Sequence, residues 1–156
     1  MNTQCLRIAD QLHRAFDGDP WHGSPVREIL SGLSEGQASK HVLASGHSIW
    51  ELVNHVNRWE RAALGAINGV PMPQSPPPEV DWPAPSPGNE TAWKSSVDQL
   101  FTTNKQLVEA IKGLQDSRLQ ETVPGRSYDF YYLLLGIIQH GLYHAGQMAI
   151  LRKGLA

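Results

Sequence analysis

Eight of the chain's eleven prolines fall between Pro71 and Pro87, and that stretch dictates how everything on either side of it must be arranged. Proline fixes φ and carries no backbone N–H, so this density predicts a long extended crossover that joins neither a helix nor a sheet ladder. A connection of this length stays ordered only if Val80, Trp82 or the prolines themselves pack on neighbouring structure. Before the crossover the pattern is helical. From Thr3 to about Phe16, Leu6, Ile8, Ala9, Leu12 and Phe16 recur at three- and four-residue steps, until Asp17-Gly18-Asp19-Pro20 ends the run. The Trp21-His22-Gly23-Ser24-Pro25 turn then leads into a short helix reaching about Gly32.

A second long helix is predicted to start at Ser48, where Ser48-Ile49-Trp50-Glu51 reads as a capping box. Its inward stripe is Ile49, Leu52, Val56, Trp59, Ala63 and Ile67, and Asn68-Gly69 with Pro71 stops it. After the crossover a third helix opens near Asn89 and carries Trp93, Val97, Leu100, Asn104, Leu107, Ile111 and Leu114, a stripe broken only by Asn104. A loop from Gln115 to Ser127 precedes a fourth helix, from about Asp129 to Lys153, with Gly154 as its stop. No segment alternates as a strand does. The expectation is an all-α four-helix bundle, a single domain over residues 1–156, with the proline-rich crossover between helices two and three.

A chain of 156 residues with 40% apolar and 18% charged residues can bury a core without staples. Its net charge of -2 offers no basic footprint for nucleic acid. The longest apolar run, Phe130 to Ile138, has nine residues against the ~20 of a membrane-spanning helix, so no membrane association is expected. The first ten residues lack a cationic stretch followed by an apolar core, and the one cysteine, Cys5, has no intrachain partner, which points to the cytoplasm. On an apolar helical face Cys5 reads as packing rather than as a nucleophile.

The chemistry is concentrated in the fourth helix, whose stripe is Leu133, Ile137, His140, His144, Gln147 and Leu151. Residues four apart lie on one helical face, so His140 and His144 can aim at one point from core positions. Two imidazoles give only two bonds to a metal, and His55, on the edge of the second helix's stripe, is the best third. Three nitrogens with solvent in the remaining position is the pattern of a catalytic zinc-like site. The same spacing also fits core histidines bonded to polar neighbours such as Asn104 or Gln147, with no metal. Glu51, one turn before His55, reads either as the orienting carboxylate of His55 or as the capping-box partner of Ser48. His22 beside Trp21 reads as a pocket lining, and Tyr143 as a ligand hydrogen-bond donor or as filler. Arg126 suits an anionic substrate or a solvated surface, and His47 packs where the second helix begins. The pair lacks the glutamate of a His-Glu-x-x-His protease, because Gly141 and Leu142 follow His140.

The stretch His47-Ser48-Ile49-Trp50-Glu51-Leu52-Val53-Asn54-His55-Val56, with Gln139-His140-Gly141-Leu142-Tyr143-His144-Ala145-Gly146-Gln147 far downstream, resembles the DinB-like (YfiT-type) superfamily of metal-binding four-helix bundles. The resemblance extends through the Trp21-His22-Gly23 turn, the crossover and Val123-Pro124-Gly125-Arg126. It implies a metal triad at His55, His140 and His144. Gly141 departs from it, since similar sequences carry a polar residue there. The implied chemistries are transfer of a low-molecular-weight thiol to an electrophilic small molecule, thiol-dependent isomerisation and metal-dependent hydrolysis. The expected cofactor is one divalent transition metal, zinc or nickel. A thiol transferase is the leading expectation, with a metal-dependent hydrolase and a non-catalytic metal-binding or dimerising bundle as alternatives. The apolar Phe130-Tyr131-Tyr132 start and the tryptophan-bearing crossover also suit a homodimer.

Overall fold

In the computed structural model, which describes residues 1–155, the four long helices are α1 (Thr3–Asp17), α4 (Ile49–Ile67), α6 (Glu90–Lys112) and α7 (Phe130–Lys153). Between them lie the short α2 (Val26–Leu30), α3 (Glu35–Ala38) and α5 (Pro78–Asp81), and a 3₁₀ turn over Asp116–Gln120. The helix starts follow from capping. Ser48 Oγ accepts from the Glu51 N–H at 3.2 Å while the Glu51 carboxylate accepts from the Ser48 N–H at 2.7 Å. Asn89 caps α6 through the Ala92 N–H, and Asp129 caps α7 through the Tyr132 N–H. Each such cap satisfies backbone donors that the first turn leaves unpaired and contributes about 1 kcal/mol.

α4 packs against α6 and α7, and α1 packs against the same two, so the long helices close a four-membered bundle. Leu12 and Phe16 of α1, Trp50 and Leu52 of α4, Leu100 and Leu107 of α6, and Leu134 and Met148 of α7 belong to one buried apolar cluster. Burying a side chain of this kind contributes roughly 1.5–3 kcal/mol before entropy is counted. The buried tryptophans keep their polar ends satisfied: Trp50 donates to Ser96 Oγ and Trp93 to the Leu33 carbonyl, each at 2.8 Å. No helix of the described residues is long and apolar enough to cross a membrane.

The expectation of a purely extended crossover needs correcting at one point, because Pro78–Asp81 forms a helical turn. Proline is compatible with the first helical turn, where its missing N–H has no partner to lose. α3 has its own capping box between Ser34 and Gln37, and the predicted loop before α7 contains the 3₁₀ turn and an isolated antiparallel bridge between Thr122 and Asp129.

Two features of the bundle's interior carry consequences. Gly141 is buried against α1, where a Cβ would stand 2.8 Å from Phe16 Cε2 and 3.0 Å from Cζ. Phe16 is itself fully buried and has no room to withdraw. The departure at Gly141 is thus a packing requirement, letting α7 approach α1 at the level of the histidines. Gly141→Ala should destabilise the protein by about 1 kcal/mol, overpacking exceeding the gain in helix propensity, and lower Tm by about 3 °C. A Tm at or above that of the wild type would contradict this account.

The second feature is Glu60, 1% exposed, whose Oε1 accepts from Asn104 Nδ2 at 2.9 Å while Oε2 has no hydrogen-bond partner. Burial pushes this carboxyl up from 4.5 to about 8, against the smaller opposing effect of Asn104. The folded state therefore holds a proton that the unfolded chain releases above 4.5, so stability falls as pH rises from about 4.5 through about 8. Glu60→Gln keeps the acceptor for Asn104 and removes the titration. Its Tm should stay level across that window while the wild type drops by at least ~3 °C, as followed by circular dichroism.

Candidate metal centre

His55 reaches the centre of the bundle from α4, and His140 and His144 reach it from successive turns of α7. Nε2 of His140 stands 3.0 Å from Nε2 of His55 and 3.1 Å from Nε2 of His144. The far side of two rings is already committed. Nδ1–H of His55 donates to the Asp81 carbonyl at 2.8 Å, and Nδ1–H of His144 donates to Gln147 Oε1 at 2.7 Å. Those bonds fix the tautomers and leave both Nε2 atoms as lone pairs. A proton on His140 Nε2 serves only one of them well, so a converging set of three nitrogens lacks the hydrogens to satisfy itself.

The electrostatics keep the rings neutral. Burial lowers the pKa of His55, partly offset by Asp81, and lowers that of His144, partly offset by Gln147. Burial followed by the two neighbouring imidazoles brings His140 down to about 3. Neutral imidazole is the metal-binding form. His55, His140 and His144 offer ligand atoms that all lie within 4.8 Å of one another, so the trio could hold a metal ion. Among the described residues they are the one such group of histidine, cysteine or carboxylate side chains. The donor set fits the cation: three neutral nitrogens, two oriented by carbonyl acceptors, as is usual around zinc and similar ions.

The crossover completes the surroundings. Trp82 is sandwiched between His47, with ring centroids 3.5 Å apart, and His55, at 3.8 Å, in nearly parallel stacks. Trp59 Nε1 donates to Asp81 Oδ1 at 2.9 Å, and that carboxylate lies 3.5 Å from His55 Nδ1. Arg58 donates to the Val80 carbonyl at 2.6 Å and Asn54 to the Pro83 carbonyl at 3.2 Å. Asp81 and Trp82 thus support the site although they lie outside every long helix. Periodicity is blind to a segment without a period. The one available signal was an acid and an indole adjacent to each other in an otherwise proline-dominated stretch.

The other sequence candidates fall elsewhere. Glu51 makes its capping box and faces His41 at 3.6 Å and His47 at 3.8 Å. His22 is exposed and lines a separate groove with Ser24, Glu28 and Leu142. Tyr143 is mostly exposed, its ring edge-on to His144 at 5.1 Å. Arg126 donates to the carbonyls of Pro73 and Gln74, tying the crossover to the turn before α7. Cys5 is buried, its thiol pushed up to about 11 by burial and then by Asp116, which suits packing.

The sequence model of the DinB superfamily matches residues 20–148, a span that contains all three histidines and the crossover. The chain belongs to the DinB superfamily. Comparison with curated proteins and with solved structures gave no match. Within a DinB bundle the trio joining α4 to α7 is compatible with metal binding.

If Gln147 orients a ligand, losing its acceptor should matter more for metal than for folding. Gln147→Leu should weaken zinc or nickel binding about 10- to 100-fold in a calorimetric titration, with circular dichroism unchanged. Unaltered affinity would show that the bond to His144 is incidental.

Proposed function

We propose that this DinB protein is a metal-dependent enzyme in which His55, His140 and His144 hold one zinc or nickel ion, and that it transfers a low-molecular-weight thiol to an electrophilic small molecule. The observation that carries the reading is the convergence of three neutral imidazole nitrogens, at 3.0 and 3.1 Å, with too few hydrogens among them. A bound divalent ion supplies Lewis acidity, lowering the pKa of a thiol or water so that a nucleophile is available near neutral pH.

The chain's own residues supply orientation and exclusion. Asp81 and Gln147 hold the ring planes of His55 and His144, and Trp82 covers the face of His55 from solvent. Glu51 is committed to its cap, and the Asp81 carboxylate accepts from Trp59 on the Nδ1 side of His55, so no carboxylate joins the converging nitrogens as a base. The thiol proton therefore leaves to solvent. In the overall reaction a carbon–sulfur bond forms as the electrophile's leaving group departs with its bonding pair, or as an activated double bond takes up the proton.

Protein purified without an affinity tag should contain about one equivalent of zinc or nickel by elemental analysis. It should consume thiol and electrophile one for one across a panel of small thiols with epoxides, activated aryl halides and activated alkenes. EDTA or His140→Ala should return the rate to the uncatalysed level. EDTA-sensitive loss of an ester, amide or lactone without thiol would make the protein a hydrolase. Retained metal with neither activity would leave a non-catalytic bundle.

A further inference from the structure

Beside the trio lies a cavity of about 260 Å³ whose walls are Trp59, Met72, Tyr128, Tyr132 and Ile137. Gly136 leaves one side of it open, and His140 borders it. We propose that this cavity is the substrate-recognition pocket, and that it takes a compact uncharged group, an aromatic ring or a branched alkyl, from a substrate whose reactive carbon faces His140. The inference rests on the metal-centre reading for what happens at that carbon, but not for the binding of the group itself.

Size sets the first limit. A dry apolar cavity of ~150 Å³ suffices for benzene, whereas pockets for drug-sized ligands run from ~300 Å³ upward. At 260 Å³ the pocket suits one ring with a few further atoms. Charge sets the second limit, because no Asp, Glu, Lys or Arg lines it. Two guanidiniums stand near its walls, that of Arg58 5.2 Å from the Trp59 ring and that of Arg126 5.9 Å from the Tyr128 ring, and both are spent on crossover carbonyls, Arg58 on Val80 and Arg126 on Pro73 and Gln74. A carboxylate seated among these walls would lose its hydration with no side chain of the pocket to pair with. The aromatic walls could in principle attract an organic cation, but no carboxylate balances one, and a divalent ion in the histidine trio would repel it.

The pocket is built rather than accidental. The Met72 N–H donates to the Pro124 carbonyl at 2.8 Å, which brings the crossover's methionine against the start of α7. The partner turn needs glycine at Gly125, with φ of +78° and a missing Cβ that would stand 3.2 Å from the Met72 carbonyl oxygen. Tyr128 and Tyr132 pack together with centroids 5.0 Å apart, and Trp59 meets His140 edge-on at 6.4 Å. Tyr132 is 66% exposed, so a ligand enters past it from solvent. At Gly136 an added Cβ would meet nothing within 4 Å, so a larger side chain there grows into space without disturbing the helix.

The test is fluorine NMR with 4-fluorotoluene as probe, on metal-loaded protein and on protein stripped with EDTA. The probe signal should broaden with both forms. Gly136→Leu should weaken binding about tenfold or more while keeping the wild-type metal content and Tm. Gly146→Leu, at an exposed glycine of the same helix outside the pocket, should bind as the wild type does. On the stripped protein, where no ion can attract or repel them, the 4-fluorobenzoate and 4-fluorobenzylammonium analogues should bind about tenfold more weakly. No broadening by the wild type, equal binding by Gly136→Leu, or preference for a charged analogue would overturn the proposal. Binding by a protein that takes up no metal would defeat the metal-centre reading and leave the pocket intact. Metal uptake and turnover without probe binding would do the reverse.

Discussion

Nε2 of His140 is held 3.0 and 3.1 Å from the Nε2 atoms of His55 and His144, with too few hydrogens among the three, and the rest of the structure has to supply the force that holds them there. It comes from the α4–α7 contact, where Val53 and Val56 on one helix and Ile137 and Ala145 on the other are buried on either side of the histidines. Apolar burial is non-directional, so it can press the helices together but cannot aim a ring. Aim comes from the two carbonyl acceptors, Asp81 and Gln147, and from the Trp82 stack. The same burial suppresses protonation, most of all at His140, and so keeps the rings in the neutral, metal-binding form. A divalent cation could engage all three nitrogens at once.

The proline-rich crossover belongs to this arrangement for a physical reason rooted in its composition. Proline deletes the backbone donor but leaves the carbonyl, so a proline-rich segment carries an excess of acceptors. α4 presents a matching set of side-chain donors. Asn54, His55 and Arg58 each bond a crossover carbonyl, while Trp59 bonds the Asp81 carboxylate. Arg126 serves the same purpose at the crossover's beginning, through Pro73 and Gln74. Four donors spaced along less than two turns of helix convert a segment with no ladder and a single helical turn into a fixed wall of the site.

The long helices were legible because their signals are local. Ser48 and Asn89 cap where a cap was expected, α7 opens at Asp129 where the fourth helix was expected to begin, and His140 and His144 share one face of α7 by simple spacing. What stayed hidden depends on partners distant in sequence. Glu60 lies four residues after Val56 and three before Ala63, on the inward stripe of α4, yet its burial makes sense only beside Asn104, 44 residues away. The one polar break in the α6 stripe was the visible half of that pair. That amide could have been matched to a polar residue on the facing stripe of α4, because an unsatisfied amide in a core needs a partner. Asp81 and Trp82 had no such counterpart, since their roles depend on where the crossover lands.

Access to the trio is asymmetric, and the asymmetry follows from the helices that carry it. The α4 side is closed: His55 is 5% exposed, with Trp82 stacked on its face and His47 stacked beyond. On the α7 side His140 is only half-buried, and one turn before it Gly136 stands where a larger side chain would have filled the space. An interior glycine costs a helix about 1 kcal/mol relative to alanine. α7 contains three of them within its core-spanning stretch, Gly136, Gly141 and Gly146. Gly141 is accounted for by Phe16, which leaves no space for a Cβ. At Gly136, as at the exposed Gly146, an added Cβ would meet nothing within 4 Å, so packing explains neither, and at Gly136 the absent side chain leaves the open flank of the cavity beside His140. A helix that gives up stability at that position keeps open a flank of the cavity that His140 borders.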